Sequence, residues 1–431
     1  MINTAEVFLW GTRIGIIHKD NNKPYVSFEY DRNFLKSEIE VSPLRMRLSE
    51  SVYEFPELVG SAFHGAPGLV ADSLPDKFGN KIIDMWLEQQ GYSLNDFNVI
   101  DRLCYTGSRG MGALEYVPAQ SIVPNIGEDI NIDKMVDFAS KMLSDRKEKT
   151  IKYEDDLGYS QLVSLGTSAG GARAKALIAW NENKKCIKSG QVEAGDGYEY
   201  WLMKFDGVSK NGDHDLVDKP EYTKIEYAYY LLALEAGINM EECRLFEENG
   251  RYHFMTKRFD RRKTGKVHMQ TFGALAHIDY NIPGVSSYEQ VAESMKRLDI
   301  SMKEVEQLFR RMIFNVVFVN QDDHVKNVSF LMDRKGKWSL SPAYDITFAF
   351  DADNQWLKEH QMCINGKAKD IVFDDLLSAG KNMRISKSKC ISIIEEVQHA
   401  SNKLKENFEI AGVSEKNYEE IRKIINRHSV I

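Results

Sequence analysis

The first third of the chain alternates short apolar runs with polar turns. VFLW, IGIIH and YVSFEY are rich in β-formers and are separated by GTR and DNNKP, which predicts a meander of antiparallel strands. KFGNKIIDMWLEQQ changes the period: Phe78, Ile82, Ile83, Trp86 and Leu87 fall at helical spacing. NDFNVIDRLCY predicts a second, short helix before the strand-like GALEYVP. The polar stretch from Pro124 to Asp133 reads as a linker.

The middle of the chain mixes strands and loops. QLVSLGTSAGGARAKALIAW is strand-like at both ends around a turn of small residues, and YEYWLMKFD is a further strand. TKIEYAYYLLALEAGI sets Ile225, Tyr229, Leu232 and Ala236 on one helical face and stops at Gly237, a C-terminal cap. HFMTKRFD reads as another strand. SMKEVEQLFRRMIFNVVFVN carries a wide apolar stripe from Val305 to Val317, the mark of a buried helix. Beyond Asp370, KSKCISIIEEVQ and NYEEIRKIINR are the clearest helices, and no internal repeat or low-complexity tract interrupts the pattern.

With 431 residues, 43% of them hydrophobic, the chain is long enough for two or three globular subdomains and is not disordered. Its 64 acidic and 56 basic residues give a net charge of -8, which argues weakly against nucleic acid as the main ligand. Cys104, Cys186, Cys243, Cys363 and Cys390 are scattered and lack CxxC spacing, so neither a disulfide framework nor a structural zinc site is expected. The N-terminus shows no basic region followed by an apolar one, and no window reaches the ~18 apolar residues of a membrane span. The expectation is a cytoplasmic protein without membrane association.

The chemistry concentrates in NQDDHVKN, the loop after the buried helix. Asp322 precedes Asn327 by the spacing of a protein-kinase catalytic loop, in which the aspartate orients a hydroxyl and the asparagine ligates Mg²⁺. That spacing is common by chance, and a solvated loop is the ordinary reading of it alone. VSFLM, DRKGK and WSL then predict a hairpin, and SPAYDI places Asp345 at the end of a strand returning toward the loop. Two carboxylates and an amide are the set that phosphoryl transfer needs: one acid at the attacking hydroxyl, and oxygen ligands for Mg²⁺. An ordinary turn aspartate after Pro342 is the alternative for Asp345.

GTSAGGARAK is the candidate phosphate cradle. Gly166, Ala169, Gly170, Gly171 and Ala172 are small enough for backbone N–H groups to approach phosphate oxygens, and Arg173 or Lys175 adds positive charge. It is not a Walker A loop, because Ala172 and Arg173 stand where Lys and Ser/Thr are required. A flexible loop between strands accounts for it equally well. Lys204 ends the strand YEYWLMK and precedes the helix carrying Glu226, an arrangement that fixes nucleotide phosphates in kinases, although Glu226 also fits a solvated helix position.

These motifs, in this order, resemble the HipA family of bacterial serine/threonine kinases, the toxins of type II toxin–antitoxin modules. The resemblance runs nearly end to end, through LPDKFGN, GSRGMGALEYVP, TSAGGARAKAL, KRFDRR, QTFG, NQDDHVKNVSF and LSPAYDI. It implies an α+β, two-lobed protein-kinase-like fold with a β-rich N-terminal subdomain (1–120), a small kinase lobe (121–258) and a helical C-terminal lobe (259–431). It implies ATP and Mg²⁺ as cofactors, with Asp322 as catalytic base and Asn327 and Asp345 as metal ligands. Gly170, Gly171, Ala172, Arg173, Ala174 and Lys175 then form the phosphate loop, and Lys204 contacts phosphate. Lys257, Arg258 and Phe259 are the hinge that meets adenine mostly through backbone groups, while His324, Val325, Lys326 and Tyr344 complete the nucleotide pocket. Ser168, with Thr167 as the adjacent alternative, occupies the regulatory autophosphorylation position.

The implied partners are a HipB-like helix-turn-helix antitoxin, DNA indirectly through it, and a protein substrate, an aminoacyl-tRNA synthetase in some family members. Two rival functions share the same residues: a small-molecule phosphotransferase, and a catalytically idle kinase fold serving as corepressor partner of a DNA-binding antitoxin.

Overall fold

The computed structural model describes residues 2–89, 91–93, 97–119, 130–144, 173–191, 193–208 and 221–428. The chain divides into two compact units. The first comprises 1–39, 48–223 and 242–268, and the second 40–47, 224–241 and 269–431.

The first unit opens with the expected meander. Strands β1 (Thr4–Leu9), β2 (Thr12–His18), β3 (Ser27–Tyr30), β4 (Tyr53–Glu54) and β5 (Leu114–Val117) form a five-stranded sheet in the order β4-β3-β2-β1-β5. Every pairing in it is antiparallel. Alternation buries Val7, Leu9, Ile17, Phe28 and Tyr30, and a register shift between β1 and β2 at Val7/Phe8 lets Ile14 turn inward as well. Gly15 is required by close approach, since a Cβ there would lie 2.4 Å from the Glu29 carbonyl oxygen.

Helix α1 (Lys77–Gln89) is the one read from its period. Helix α2 (Val99–Thr106) starts later than its sequence segment suggested, because Asn98 accepts from the N–H groups of Ile100 and Asp101 while Asp101 returns a carboxylate to the Asn98 N–H. Helix α3 (Ile132–Ser144) begins inside the expected linker, so Ile132 and Asp133 are its first turn.

A second five-stranded sheet follows: β6 (Lys175–Asn181), β7 (Cys186–Ser189), β8 (Glu199–Lys204), β9 (Cys243–Glu248) and β10 (Arg251–Lys257), in the order β7-β6-β8-β10-β9. Phe78 and Ile82 of α1 and Met135, Val136 and Phe138 of α3 pack with Ile178, Trp201, Met203 and Met255 in one core. The KRFDRR segment supplies a buried staple. Asp260 accepts from Arg258 Nε (2.9 Å) and Nη2 (2.8 Å), from Arg261 Nη1 (2.6 Å) and from the Gly112 N–H (2.7 Å). The two arginines also donate to the carbonyls of Gly110, Gly112 and Gly190. GSRGMG and RFDR are thus two halves of one charged network, which fixes the first sheet's last strand to the second sheet.

The second unit is mainly helical. It holds most of α4 (Tyr222–Glu235), then α5 (Tyr288–Arg297), α6 (Met302–Val317), α7 (Phe373–Asn382), α8 (Lys387–Ala400), α9 (Leu404–Ile410) and α10 (Glu415–Arg427). Tyr229 of α4 meets Phe314, Phe318 and Phe408 edge-on. The stripe read on α6 is its buried face, with Val305, Leu308, Phe309, Met312 and Ile313 almost wholly covered. A three-stranded sheet runs β11 (His268–Thr271), β12 (Ser329–Met332), β13 (Trp338–Leu340) in that order, and β12–β13 is the expected hairpin.

All five cysteines are free, and burial pushes the Cys104 thiol up to about 12. Among the described residues no helix is long and apolar enough to cross a membrane.

Candidate active site

The loop after α6 is built by capping and return contacts. Val319 takes a positive φ of 56°, which ends the helix, and Asn320 and Gln321 then bond back to Asn315 and Ala349. The Asn327 N–H donates to the His324 carbonyl (2.9 Å), and its side-chain Nδ2 donates to the Asp322 carbonyl (2.7 Å). The loop therefore closes on itself.

The two adjacent aspartates separate sharply. The Asp322 side chain is 50% exposed, whereas that of Asp323 is 1% exposed. His324 Nε2 stands 3.9 Å from Asp322 Oδ1, and the His324 ring lies against Tyr280. Lys326 places its ammonium 4.9 Å from the centre of that same tyrosine ring. Val325 is buried and accepts from the Gly273 N–H at 3.1 Å.

Asp345 does not end a strand as expected. Ala343 makes an isolated parallel bridge to Met240, and Asp345 follows in a left-handed turn with φ 51°. The Tyr344 hydroxyl holds that turn by donating to the Lys326 carbonyl (2.5 Å) and pairing with Ser329 Oγ. Asn327 and Asp345 line one small cavity together with Asp323, His324 and Tyr344. Their oxygens are hard neutral and anionic donors, the set that suits Mg²⁺ beside nucleotide phosphates. No group of three or more His, Cys, Asp or Glu side chains among the described residues forms a metal cage, and Mg²⁺ sites that rely on phosphate oxygens need none.

In the first unit the candidate phosphate-binding residues are placed in part. Thr167, Ser168, Gly170, Gly171 and Ala172 lie outside the described residues. Arg173 stacks its guanidinium over Tyr222, 4.8 Å from the ring centre. Ala174 is buried and its carbonyl accepts from the Phe205 N–H. Lys175 is a strand residue: it opens β6 and lies 3.4 Å from Asp76 with both side chains buried. Its register partner on β8 is Lys204, so two buried lysines face each other across one antiparallel pair. Asp76 belongs to LPDKFGN and also accepts from the Gly79 N–H at 2.6 Å, which starts α1.

The hinge candidates have committed side chains. Lys257 pairs with Glu199 and Glu242, Arg258 sits in the Asp260 staple, and Phe259 is buried. The N–H groups of Lys257 and Arg258 donate to the Glu242 and Tyr200 carbonyls. Glu226 is buried on α4, in place of the solvated position that was its alternative.

Asp323, Tyr288, Asn315 and His360 form a buried polar cluster behind the loop that sequence reasoning missed. The doubled DD offered the only signal, and nothing in it says which aspartate faces inward.

Residues 5–117 match the model of the HipA N-terminal domain, and residues 167–404 that of the HipA-like C-terminal domain. A candidate kinase of Haemophilus influenzae is 28% identical over 160 residues, 33% of this chain and 47% of that protein. The candidate kinase Y4mE of Sinorhizobium fredii is 27% identical over 266 residues, 58% of this chain and 57% of that protein. The chain thus spans about half the length of these curated relatives. The HipA of Shewanella oneidensis MR-1, solved in complex with HipB and operator DNA, superposes with a TM-score of 0.66 at 15% identity, covering 98% of this chain and 95% of that one. The fold is accordingly the two-lobed, kinase-like α+β fold.

Proposed function

Because the chain belongs to the HipA family, we propose that it is an ATP-dependent serine/threonine protein kinase that serves as the toxin of a HipA/HipB-like module. The observation that carries this reading is the self-closed loop in which Asn327 bonds the Asp322 carbonyl at 2.7 Å and shares a cavity with Asp345. The Asp322 side chain is half exposed while its backbone carbonyl is held by Asn327.

Asp322 accepts the proton of the attacking hydroxyl as the γ-phosphoryl group leaves ATP. His324 and Lys326 put positive or polarisable groups beside it, steadied by the Tyr280 face. Asn327 and Asp345 hold Mg²⁺, which neutralises phosphate charge when bound. In the small lobe, Lys204, Lys175 and the segment 166–173 hold the phosphates. Ser168 is the autophosphorylation position, and a phosphate there competes for the same N–H groups as ATP. The partner is a HipB-like antitoxin, the assembly solved for the Shewanella relative. The protein substrate presents a serine or threonine, as an aminoacyl-tRNA synthetase does for some members of the family.

Incubating the purified chain with γ-labelled ATP and Mg²⁺ in a cell lysate tests the reading. Labelled protein supports it; label only on free sugars or antibiotics favours the small-molecule phosphotransferase, and no label at all favours the idle corepressor. Mass spectrometry of wild type beside Asp322→Ala tests Ser168.

A further inference from the structure

Asp323 has no part in the chemistry above, yet both of its carboxylate oxygens are bonded. Its Oδ2 accepts from the Tyr288 hydroxyl (2.8 Å) and from His360 Nδ1 (2.9 Å), and its Oδ1 accepts from the Gln361 N–H (2.8 Å). The chain of donors extends further back. Asn320 Nδ2 donates to Asn315 Oδ1 (3.0 Å), and Asn315 Nδ2 donates to the Tyr288 oxygen (2.8 Å). Tyr288 receives one hydrogen bond from Asn315, so its own proton is directed to Asp323. Each link runs toward the carboxylate, which as an anion is the only member that accepts without donating.

The elements joined in this way matter for the site. Tyr288 opens α5, Asn315 lies on the last turn of α6, and Asn320 sits at the entry of the loop. His360 and Gln361 belong to the segment that follows Asp345. That segment is also tied at Gln321, whose N–H donates to the Ala349 carbonyl at 2.9 Å. All five side chains of the chain of bonds are at least nine-tenths buried: Tyr288 1%, Asn315 8%, Asn320 2%, Asp323 2% and His360 4% exposed.

We propose that Asp323 is the positioning residue for Asp322: by gathering Tyr288, His360 and Gln361 on one buried carboxylate, it aims its neighbour outward and docks the segment after Asp345. This rests on the kinase reading for what Asp322 does, but not for what Asp323 holds. Consecutive residues share one peptide unit, so locking Asp323 inward limits where the Asp322 carboxylate points. Loss of one ångström of aim at a reacting group costs about 10²-fold in rate.

The test uses the full chain with γ-labelled ATP and dephosphorylated casein as acceptor, hydrogen exchange by mass spectrometry, and Mg-ATP calorimetry. Asp323→Asn keeps the shape but cannot accept all three donors. It is expected to lower kcat by about 10- to 100-fold while Mg-ATP affinity stays within about twofold of wild type. Exchange should accelerate in 319–327 and 356–363. Tyr288→Phe removes a single donor and is expected to have a smaller effect of the same kind, and the double variant should be no worse than Asp323→Asn alone. The proposal is overturned if Asp323→Asn keeps wild-type kcat and exchange, if kcat per folded molecule is unchanged while only melting temperature drops, or if the two substitutions act additively. Should wild type label no acceptor, the kinase reading falls, and the exchange pattern alone then supports or overturns the anchoring role.

Discussion

Asn327 donates its side-chain amide to the backbone carbonyl of Asp322 across 2.7 Å, so the proposed metal ligand is also the clasp of the loop that carries the proposed base. One side chain then serves two ends. Its nitrogen holds the loop closed and its oxygen is the proposed ligand, and any replacement must supply both.

Asp322→Ala removes the proton acceptor and leaves the clasp intact, because Asn327 bonds the backbone of residue 322 and not its carboxylate. The expected outcome is a fall in transfer of about 10²–10⁴-fold with Mg-ATP affinity preserved. Single-turnover labelling beside calorimetry measures both, and near wild-type transfer would remove Asp322 from the role of base.

Asp345→Ala takes an anionic oxygen from a cation that has few protein ligands. Mg-ATP affinity should weaken by about tenfold or more, while binding of ATP in the presence of a chelator changes little. Equal losses with and without Mg²⁺ would deny Asp345 the metal.

Asp260→Asn strands two buried arginines. Burial pushes the Asp260 carboxyl up, and the charges of Arg258 and Arg261 overcome it, holding the group well below the usual carboxylate range. A folded-state value below the unfolded one means the stabilisation is complete above about pH 4 and is lost as pH falls further. The substitution should cost about 3–5 kcal/mol in urea melts at neutral pH, and should flatten the acid limb of the stability curve. A variant as stable as wild type would show that the staple contributes nothing.

His253 predicts a second and milder pH effect. It is fully buried and its Nδ1 accepts from the Asp206 N–H at 2.9 Å, a bond that only the unprotonated nitrogen can make. Burial lowers its pKa to about 4. Between about pH 6.5 and pH 4 the unfolded chain therefore binds the proton that the folded chain refuses, and stability drops with a slope of up to about 1.4 kcal/mol per pH unit. His253→Gln should remove that slope. Stability curves of the two proteins that run parallel across this window would assign the acid sensitivity elsewhere.

The residues that reveal themselves in sequence are those whose signal is local. Period alone marked α1, α4 and α6, and Gly237 at φ 72° is the cap its position suggested. D-x-x-x-x-N located the loop because both residues belong to a single turn. KRFDRR carries three charges that close a network with glycines about 150 residues away, and no local pattern encodes such a partner. Lys175 was read as part of a loop because the small residues before it carry no period, whereas its own place is set by the register with Lys204. The inward turn of Asp323 was hidden for the same reason, since Tyr288 and His360 lie 35 and 37 residues from it on either side.

The left-handed turn at Asp345 narrows what drift or design can put there. Although Val319 and Glu38 are also held at positive φ, glycine, asparagine and aspartate settle most readily at a φ near 51°. Of these, only aspartate brings an anionic oxygen. A longer acid such as glutamate would keep the charge but resist the backbone, while glycine would suit the backbone and lose the ligand. Chemistry and conformation thus screen the same codon independently, and few single-step changes there escape both filters.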